Sequence, residues 1–245
     1  MQILGIDVGG SGIKGAPVNT DTGEMVAERV RIKTPDNAEP QPMAEVAAQI
    51  TKAFNWQGLV GIGFPAPIKS GVAMMAANIS PKWVGTNADD LFTQVTGCDC
   101  HMINDADAAG LAEMEFGAGK GHPGTVIMLT LGTGIGTAIF YNGHLLPNTE
   151  FGHLDMKGKD AEHRVSAAVR ENESLSWKEY AKRLNKYLLQ MEKLFWPDLF
   201  IVGGGISKQS DKYLPLLNVQ TPIVTAQLLN QAGIVGAALW ARRSA

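Results

Sequence analysis

The first residues of the chain alternate between short apolar runs and a glycine cluster. Residues 2–8 are mainly apolar, the next four are Gly9, Gly10, Ser11 and Gly12, and residues 13–18 are again mainly apolar. Short apolar runs bounded by turn residues are typical of strands. The pattern therefore predicts a strand, a glycine turn and a returning strand.

The remainder of the first half alternates between strand-like and helix-like patterns. A strand is suggested at residues 28–32, after the turn signal Asp21-Thr22-Gly23, and apolar runs predict strands at residues 59–64 and 100–103. Apolar positions at helical spacing predict helices through residues 43–50, after a proline-rich loop at 35–42, and at residues 88–95 and about 107–116. Strands that alternate with helices indicate an α/β lobe.

The second half repeats the opening pattern. Residues 126–131 are apolar, residues 132–136 contain three glycines, and residues 137–141 return as an apolar run. A long helix is predicted at 176–195, a strand at 199–202 before a third glycine cluster, and a last helix at 231–240. We expect two lobes: residues 1–106, joined by the C-terminal helix 231–245, and residues 107–230.

Composition limits the class of protein. Of the 245 residues, 45% are hydrophobic and 18% are charged, as in ordinary globular domains. The net charge of −3 gives no overall attraction to nucleic acid or to anionic membranes, so any polyanion must be bound locally. No apolar run is long enough to span a bilayer and no signal peptide opens the chain, so we expect a cytoplasmic protein.

The chain has two cysteines, Cys98 and Cys100, separated by one residue. This spacing disfavours a disulfide between them, and a structural zinc site needs more ligands. We expect both thiols to be buried or inert.

The repeated glycine turns carry the first chemical signal. Glycine lets a phosphate approach the backbone amides closely, and several such donors together bind anions. One glycine turn alone can serve hairpin geometry, but two strand-turn-strand units favour phosphate binding. The candidates are Gly9, Gly10, Ser11, Gly12, Thr133 and Gly134, with Gly204, Gly205 and Lys208 from the third cluster.

Two charged residues flank the first turn. Asp7 lies at the end of the first strand and offers a carboxylate to a hydrated Mg²⁺, while Lys14 offers a cation to a phosphate. The alternative for Asp7 is a carboxylate that caps the turn.

A cluster of polar residues, Asn104-Asp105-Ala106-Asp107, follows a predicted strand. Open α/β sheets bind ligands at the carboxyl ends of their strands. Asp107 suits the N-cap or first turn of the next helix. Asp105 is therefore the candidate for a catalytic base that accepts the proton of an attacking hydroxyl.

These motifs together resemble the repressor, open-reading-frame and kinase (ROK) family of sugar kinases. The resemblance runs in order through residues 7–10, 104–106, 131–136, 150–153 and 203–205. Within the family, residues 76–79, 104–113 and 147–150 are similar to the polyphosphate-dependent glucokinases. The resemblance implies a two-lobed, actin-like and ribonuclease-H-like fold with the active site in the interlobe cleft.

The resemblance also implies the reaction. A phosphoryl group would pass from inorganic polyphosphate, or also from ATP, to the 6-hydroxyl of D-glucose with Mg²⁺ as cofactor, in a homodimer. Asp105 would be the base, and the sugar ligands would be Asn78, Asn104, Asp105, Glu150, His153 and Glu162. The alternatives are an ATP-dependent kinase of mannose or another hexose, and a sugar-sensing repressor, which would carry an additional DNA-binding region.

One departure from the family is clear. Many members follow the histidine with a cysteine-rich zinc loop, and this chain has no cysteine there, although it keeps Glu162 and Ser166. We therefore expect no zinc, and we expect His153 to contact sugar only.

Overall fold

A computed structural model describes residues 1–77 and 79–244. The chain forms two compact units, Met1–Ala112 with Gln231–Ala245, and Glu113–Asn230. The expected lobe boundary follows residue 106, whereas the units divide after Ala112, inside a continuous helix.

The first unit contains a mixed sheet. Its strands are β1 (Gln2–Gly9), β2 (Gly12–Asn19), β3 (Glu24–Met25), β4 (Val30–Ile32), β5 (Val60–Phe64) and β8 (Cys100–Asn104), and a separate hairpin pairs β6 (Ile68–Lys69) with β7 (Val72–Ala73). The order is β3-β2-β1-β5-β8, with β4 also paired to β2. β1 and β2 are antiparallel, whereas β1, β5 and β8 are parallel.

Three helices accompany this sheet: α1 (Pro40–Ala53), α2 (Ala88–Thr96) and α3 (Asp105–Phe116). α1 begins inside the segment predicted to be a proline-rich loop, because proline is well tolerated in the first turn of a helix. Leu4 and Ile6 of β1 lie in one apolar core with Met43 and Ile50 of α1 and Phe92 of α2.

The second unit repeats the arrangement of a hairpin followed by parallel strands. Its strands are β9 (Thr125–Leu131), β10 (Ile135–Tyr141), β11 (His144–Leu146), β12 (Leu199–Gly203) and β13 (Ile223–Thr225), in the order β11-β10-β9-β12-β13. β9 and β10 are antiparallel, and β9, β12 and β13 are parallel. The two glycine turns therefore occupy equivalent positions in the two units.

The helices of this unit are α4 (Glu162–Val165), α5 (Ala167–Asn172) and α6 (Trp177–Phe195). α6 begins with a capping box, in which Ser176 and Glu179 each bind the other's backbone amide. Tyr180, Leu184 and Met191 lie on its buried face.

The last helix, α7 (Ala232–Ser244), belongs to the first unit. A Cβ at Gly5 of β1 or Gly61 of β5 would overlap the carbonyl oxygens of Ile234 and Ala237. Glycine at these positions lets α7 lie directly on the sheet.

The predicted α/β class is confirmed. Within the described residues, no helix combines the length and the hydropathy needed to cross a membrane.

Candidate functional site

Three charged side chains form a row across the strands next to the first glycine turn. Lys14 of β2 is paired in register with Asp7 of β1 on one side and with Arg31 of β4 on the other. Residues directly opposite each other on neighbouring strands share a face of the sheet. Lys14 Nζ lies 3.4 Å from Asp7 Oδ2.

Arg31 was not among the candidates from sequence. Its guanidinium donates to the backbone oxygen of Ser11 at 3.1 Å, and a Cβ at Gly12 would overlap it. This cation therefore lies over the turn of Gly9, Gly10, Ser11 and Gly12. The sequence predicted a strand at residues 28–32 but not its pairing with β2, so the chain pattern alone could not place Arg31 over the turn.

The carboxylate of Asp7 also lies against the start of α7, since a Cβ at Gly233 would be 2.9 Å from its carboxyl carbon. The positive end of a helix favours a nearby anion. A partly exposed carboxylate beside a glycine turn suits a Mg²⁺ ion that keeps most of its water ligands. Asp7 therefore fits the predicted metal role.

The Asn104-Asp105 motif marks the junction between β8 and α3. α3 begins at Asp105, two residues earlier than predicted, because Asn104 Oδ1 accepts from the amides of Ala106 at 2.9 Å and Asp107 at 3.1 Å. The N-cap is therefore Asn104, and not Asp107, which is a fully buried first-turn residue. Asp105 is only partly buried.

Register places Asp105 and Asp7 at the same edge of the sheet. Asp7 is paired with Gly63, and Gly63 with Ile103, so the parallel strands β1, β5 and β8 end side by side. Asp105 follows Ile103 by two residues at this carboxyl edge. The expected sugar ligand Asn78 lies outside the described residues.

The second glycine turn is held by two neighbouring elements. The amide of Ala168 in α5 donates to Gly132 O at 3.1 Å. The carboxylate of Glu162 in α4 lies against Gly134 so closely that a Cβ there would collide with it. Glu162, an expected sugar ligand, therefore lies next to Gly134, which was predicted to bind the phosphoryl donor.

A 3₁₀ turn, Phe151–His153, packs on the start of β10; Glu150 precedes it and His153 is its last residue. A Cβ at Gly152 would overlap the carbonyl oxygen of Ile135. Thr137 Oγ1 accepts from the amide of Phe151 at 3.2 Å, which fixes the turn on β10. These contacts explain the glycine in the Glu-Phe-Gly-His motif.

Electrostatics link these side chains. Burial raises the pKa of Glu150, the charge of Glu162 raises it further, and the charge of His153 lowers it. A hydrogen bond to Asp160 raises the pKa of His153, and the charges of Glu162 and Glu150 act in the same direction. The structure thus places Glu150, His153 and Glu162, all predicted from sequence, in one electrostatically coupled group of the second unit.

Potential ligand atoms of His153, Asp160 and Glu162 lie within 4.8 Å of one another. His153 Nδ1, however, forms a 2.8 Å hydrogen bond with Asp160 Oδ2. A proton in this bond and a metal ion would compete for the same nitrogen, so the group does not by itself identify a metal site.

A pocket of about 280 Å³ opens beside the second turn. Its lining residues include Gly132, Thr133, Arg170, Trp177 and Gly205. The Arg170 guanidinium carbon lies 3.6 Å from the centre of the Trp177 ring, a cation–π contact, and Lys212 Nζ lies 5.5 Å from it. Sequence reasoning missed Arg170 and Trp177, because they lie on α5 and α6, outside every glycine motif.

The third glycine cluster contributes backbone shape. Gly204 has a φ of 82° and packs against the backbone of Leu131, where a side chain would collide. Gly205 lines the pocket, and Lys208 is exposed on the following 3₁₀ segment Gly205–Lys212.

Two other cations, Lys120 and His122, precede the second hairpin in the chain. They lie before Thr125, at the amino end of β9, whereas Gly132 follows its carboxyl end. Seven strand residues separate the two ends by roughly 20 Å. Neither cation therefore lies next to the second glycine turn.

Cys98 and Cys100 are free thiols and both are buried. Burial raises the pKa of Cys100 to about 12, which makes the reactive thiolate scarce at neutral pH.

Known proteins resemble this chain over nearly its whole length. A polyphosphate glucokinase of Mycobacterium tuberculosis is 49% identical over 237 residues, which cover 96% of this chain and 89% of that protein. The solved inorganic polyphosphate/ATP-glucomannokinase of Arthrobacter sp. strain KM is 47% identical, with a TM-score of 0.96 over 100% of this chain and 99% of that chain.

A ROK family glucokinase from Streptomyces griseus, solved in complex with glucose and AMPPNP, is 24% identical with a TM-score of 0.86. The match covers 99% of this chain and 100% of that chain, and at this identity it supports the fold alone. The profile of the ROK family matches residues 3–165. This chain therefore belongs to the ROK family.

Proposed function

We propose that this protein is a polyphosphate-dependent glucokinase, which transfers a phosphoryl group from inorganic polyphosphate to the 6-hydroxyl of D-glucose and yields glucose 6-phosphate. The observation that carries the proposal is 49% identity to a polyphosphate glucokinase across 96% of the chain. The test is a glucose phosphorylation assay with purified protein and polyphosphate. An enzyme without product above the background would contradict the proposal.

Asp105 is the proposed catalytic base. It lies at the carboxyl edge of the parallel strands and is partly exposed, whereas Asp107 is fully buried. Its carboxylate would accept the proton of the 6-hydroxyl as the oxygen attacks the phosphoryl group. Asn104 would support it from the preceding position by fixing the start of α3.

Glu150, His153 and Glu162 are the proposed sugar ligands of the second unit, and Asn78 and Asn104 those of the first. A sugar presents hydroxyls that both donate and accept hydrogen bonds, so carboxylates, amides and an imidazole are suitable partners. Selectivity follows because a substrate that lacks a hydroxyl leaves a buried partner unsatisfied.

The donor would be bound by the two glycine turns and by nearby cations. In the second unit, Arg170 carries a positive charge into a pocket lined by Gly132, Thr133 and Gly205. In the first unit, Lys14 and Arg31 flank the first turn. Backbone amides and cations together offset the charge of phosphoryl oxygens.

Mg²⁺ is the proposed cofactor, with Asp7 as its protein ligand through water. The ion would offset negative charge on the donor. The row of Lys14 and Arg31 beside Asp7 supports a phosphate-facing position for this carboxylate.

Mannose is a second candidate acceptor, since the Arthrobacter relative is a glucomannokinase. ATP is a second candidate donor, since the same relative is described as an inorganic polyphosphate/ATP enzyme. Steady-state kinetics decide between the four combinations of acceptor and donor. Glucose and mannose are each assayed with polyphosphate and with ATP at matched phosphate concentration. We propose that glucose with polyphosphate has the highest kcat/KM.

We also propose a cytoplasmic homodimer that binds no nucleic acid. The net charge of −3 disfavours the binding of a polyanion, such as a nucleic acid, across the protein surface as a whole. Light scattering on purified protein measures the oligomeric state, and a gel-shift assay tests nucleic-acid binding.

A further inference from the structure

The hydrogen bond between His153 and Asp160 determines which nitrogen of the imidazole carries a proton. Asp160 Oδ2 lies 2.8 Å from His153 Nδ1, and the two side chains are 41% and 31% exposed. An ionised carboxylate only accepts, so Nδ1 must be the donor. The neutral ring then carries its lone pair on Nε2.

Asp160 is held by a small hairpin made of neighbouring residues. Asp155 and Asp160 form an antiparallel bridge, and the amide of Met156 donates to Lys159 O at 2.8 Å. Lys157 and Gly158, with φ of 60° and 77°, form the two-residue turn, as in tight hairpins. The geometry of this hairpin fixes the carboxylate of Asp160 beside the imidazole.

We propose that Asp160 is a positioning residue for sugar binding, which holds His153 in the Nδ1–H tautomer and directs Nε2 to a hydroxyl of the sugar. The proposal rests on the proposed function, because it takes His153 as a sugar ligand. Asp160 lies outside the sequence motifs that carry the predicted site residues. A second partner that fixes the tautomer of a functional histidine is a general device of protein sites.

Among the charges around His153, Asp160 acts mainly by fixing the orientation of the imidazole ring. Asp160, Glu162 and Glu150 face the imidazole, and Glu162 Oε1 lies 3.9 Å from His163 Nε2. Nδ1 donates to Asp160 in both protonation states of His153. Nε2 accepts from a sugar hydroxyl in the neutral state and donates to it in the charged state, so the direction of the ring matters in either case.

The test is ¹⁵N NMR of the imidazoles in the full-length protein, with and without glucose, for the wild type, Asp160→Ala and Asp160→Asn. His153→Gln assigns the resonance. We expect the Nδ1–H tautomer in the wild type and in Asp160→Asn, whose amide oxygen still accepts. We expect a shift toward the Nε2–H tautomer in Asp160→Ala.

Kinetics complete the test. We expect the glucose KM of Asp160→Ala to rise about fivefold to tenfold, and that of Asp160→Asn to rise less. Asp155→Ala is the matched control, because Asp155 Oδ2 binds the amide of Gly158 in the same hairpin and not the imidazole. It should leave the tautomer of His153 unchanged.

The proposal is overturned if Asp160→Ala keeps the wild-type tautomer, or if Asp160→Asn loses as much glucose affinity as Asp160→Ala. It is also overturned if elemental analysis finds one tightly bound zinc per chain that Asp160→Ala removes. Failure of the proposed function gives a different result: Asp160→Ala still changes the tautomer, but glucose does not perturb the His153 resonance.

Discussion

Asp105 and Asp107 are two residues apart, yet their surroundings give them different chemistry. Asp107 is fully buried in the first turn of α3, where its amide is bound by Asn104. Asp105 remains partly exposed at the edge of the sheet. A base must reach the hydroxyl of a substrate, so exposure selects Asp105.

The substitution Asp105→Asn keeps the size of the side chain but removes its ability to accept a proton. We expect kcat to fall by at least about a hundredfold and the glucose KM to change little. Steady-state kinetics and thermal unfolding check this expectation. Glu115→Gln, an exposed change on the same helix, is the control and should keep wild-type turnover. Near-native turnover of Asp105→Asn would assign the base elsewhere.

Glu150→Gln tests the partly buried carboxyl of Glu150 by its effect on stability. Burial raises the pKa of Glu150 in the folded state, so its ionisation opposes folding. The unfolding free energy of the wild type should therefore fall as pH rises from the ordinary Glu range through the raised folded pKa. The variant lacks this loss, so it should be the more stable protein near neutral pH and have no advantage below the ordinary Glu pKa.

Denaturant unfolding of both proteins at acidic and neutral pH measures this difference. The exposed change Glu28→Gln is the control: it keeps Glu150, so its unfolding free energy should follow that of the wild type at both pH values. The same Glu150→Gln variant should bind glucose more weakly, because it loses a charged acceptor. Equal stability of variant and wild type at every pH would contradict the argument.

Motifs and contacts explain which candidates could be predicted. Asp105, Glu150 and His153 belong to short motifs, and the sequence predicted them. Arg31 and Arg170 lie outside these motifs, and they contact Ser11 and Trp177. Such partners arise from strand register and helix packing, which a single sequence does not display.

The apolar pattern predicted the long elements of both units. The strands β1, β2, β9 and β10 and the helix α6 lie within a few residues of their predicted positions. The short strands β3, β6, β7, β11 and β13 were not predicted. Two or three residues are too few to show a period of two, so only pairing with a neighbour identifies these strands.

The second glycine turn allows a matched pair of substitutions. A Cβ at Gly134 would collide with the carboxylate of Glu162, whereas a Cβ at Gly132 would have no neighbour within 4 Å among the described residues. Because Glu162 is flexible, Gly134→Ala should displace its carboxylate without unfolding the protein. We expect the glucose KM of Gly134→Ala to rise about tenfold, the equivalent of one lost hydrogen bond to a charged group.

Gly132→Ala should leave the glucose KM within about twofold of the wild type, since it does not touch Glu162. Kinetics with varied glucose at saturating donor measure both variants. Equal effects of the two substitutions on the glucose KM would show that the turn itself, and not the position of Glu162, determines the result.

Arg170 in α5 provides a test of the donor pocket. Arg170→Met removes the charge and keeps an apolar stem over Trp177. We expect the polyphosphate KM to rise about tenfold and the glucose KM to stay constant, since a charged hydrogen bond to phosphate is lost. Arg183→Met removes the same charge from the second unit, at a residue paired with Glu173, and should leave both constants unchanged. Equal donor constants for Arg170→Met and the wild type would exclude this role.

The whole chain combines a repeated architecture with a small negative charge. Each unit has an antiparallel hairpin with a glycine turn, followed by parallel strands. Backbone amides do not distinguish one phosphate from another, so the repeat alone does not choose between ATP and polyphosphate. The choice must come from side chains around the turns, such as Arg31 and Arg170, and from cations farther along the path of a long donor.

The net charge of −3 repels a long polyanion overall, so its binding requires a local group of cations. Lys212 lies near Trp177 at the donor pocket, and Lys208 is exposed on the same 3₁₀ segment. We expect the polyphosphate KM to rise with salt concentration, because salt screens ion pairs, while the KM of neutral glucose stays nearly constant.

The double substitution of Lys208 and Lys212 by alanine should raise the polyphosphate KM at low salt and reduce its dependence on salt. Lys120→Ala is the control, because Lys120 lies beyond the other end of β9 from the glycine turn. It alters the net charge in the same direction and should leave the salt dependence unchanged. Michaelis constants for both substrates, measured from low to high salt, separate the two cases. If neither salt nor the double substitution changes the polyphosphate KM, the two lysines do not bind the donor. Glycine amides, Arg170 and Mg²⁺ must then hold it without them.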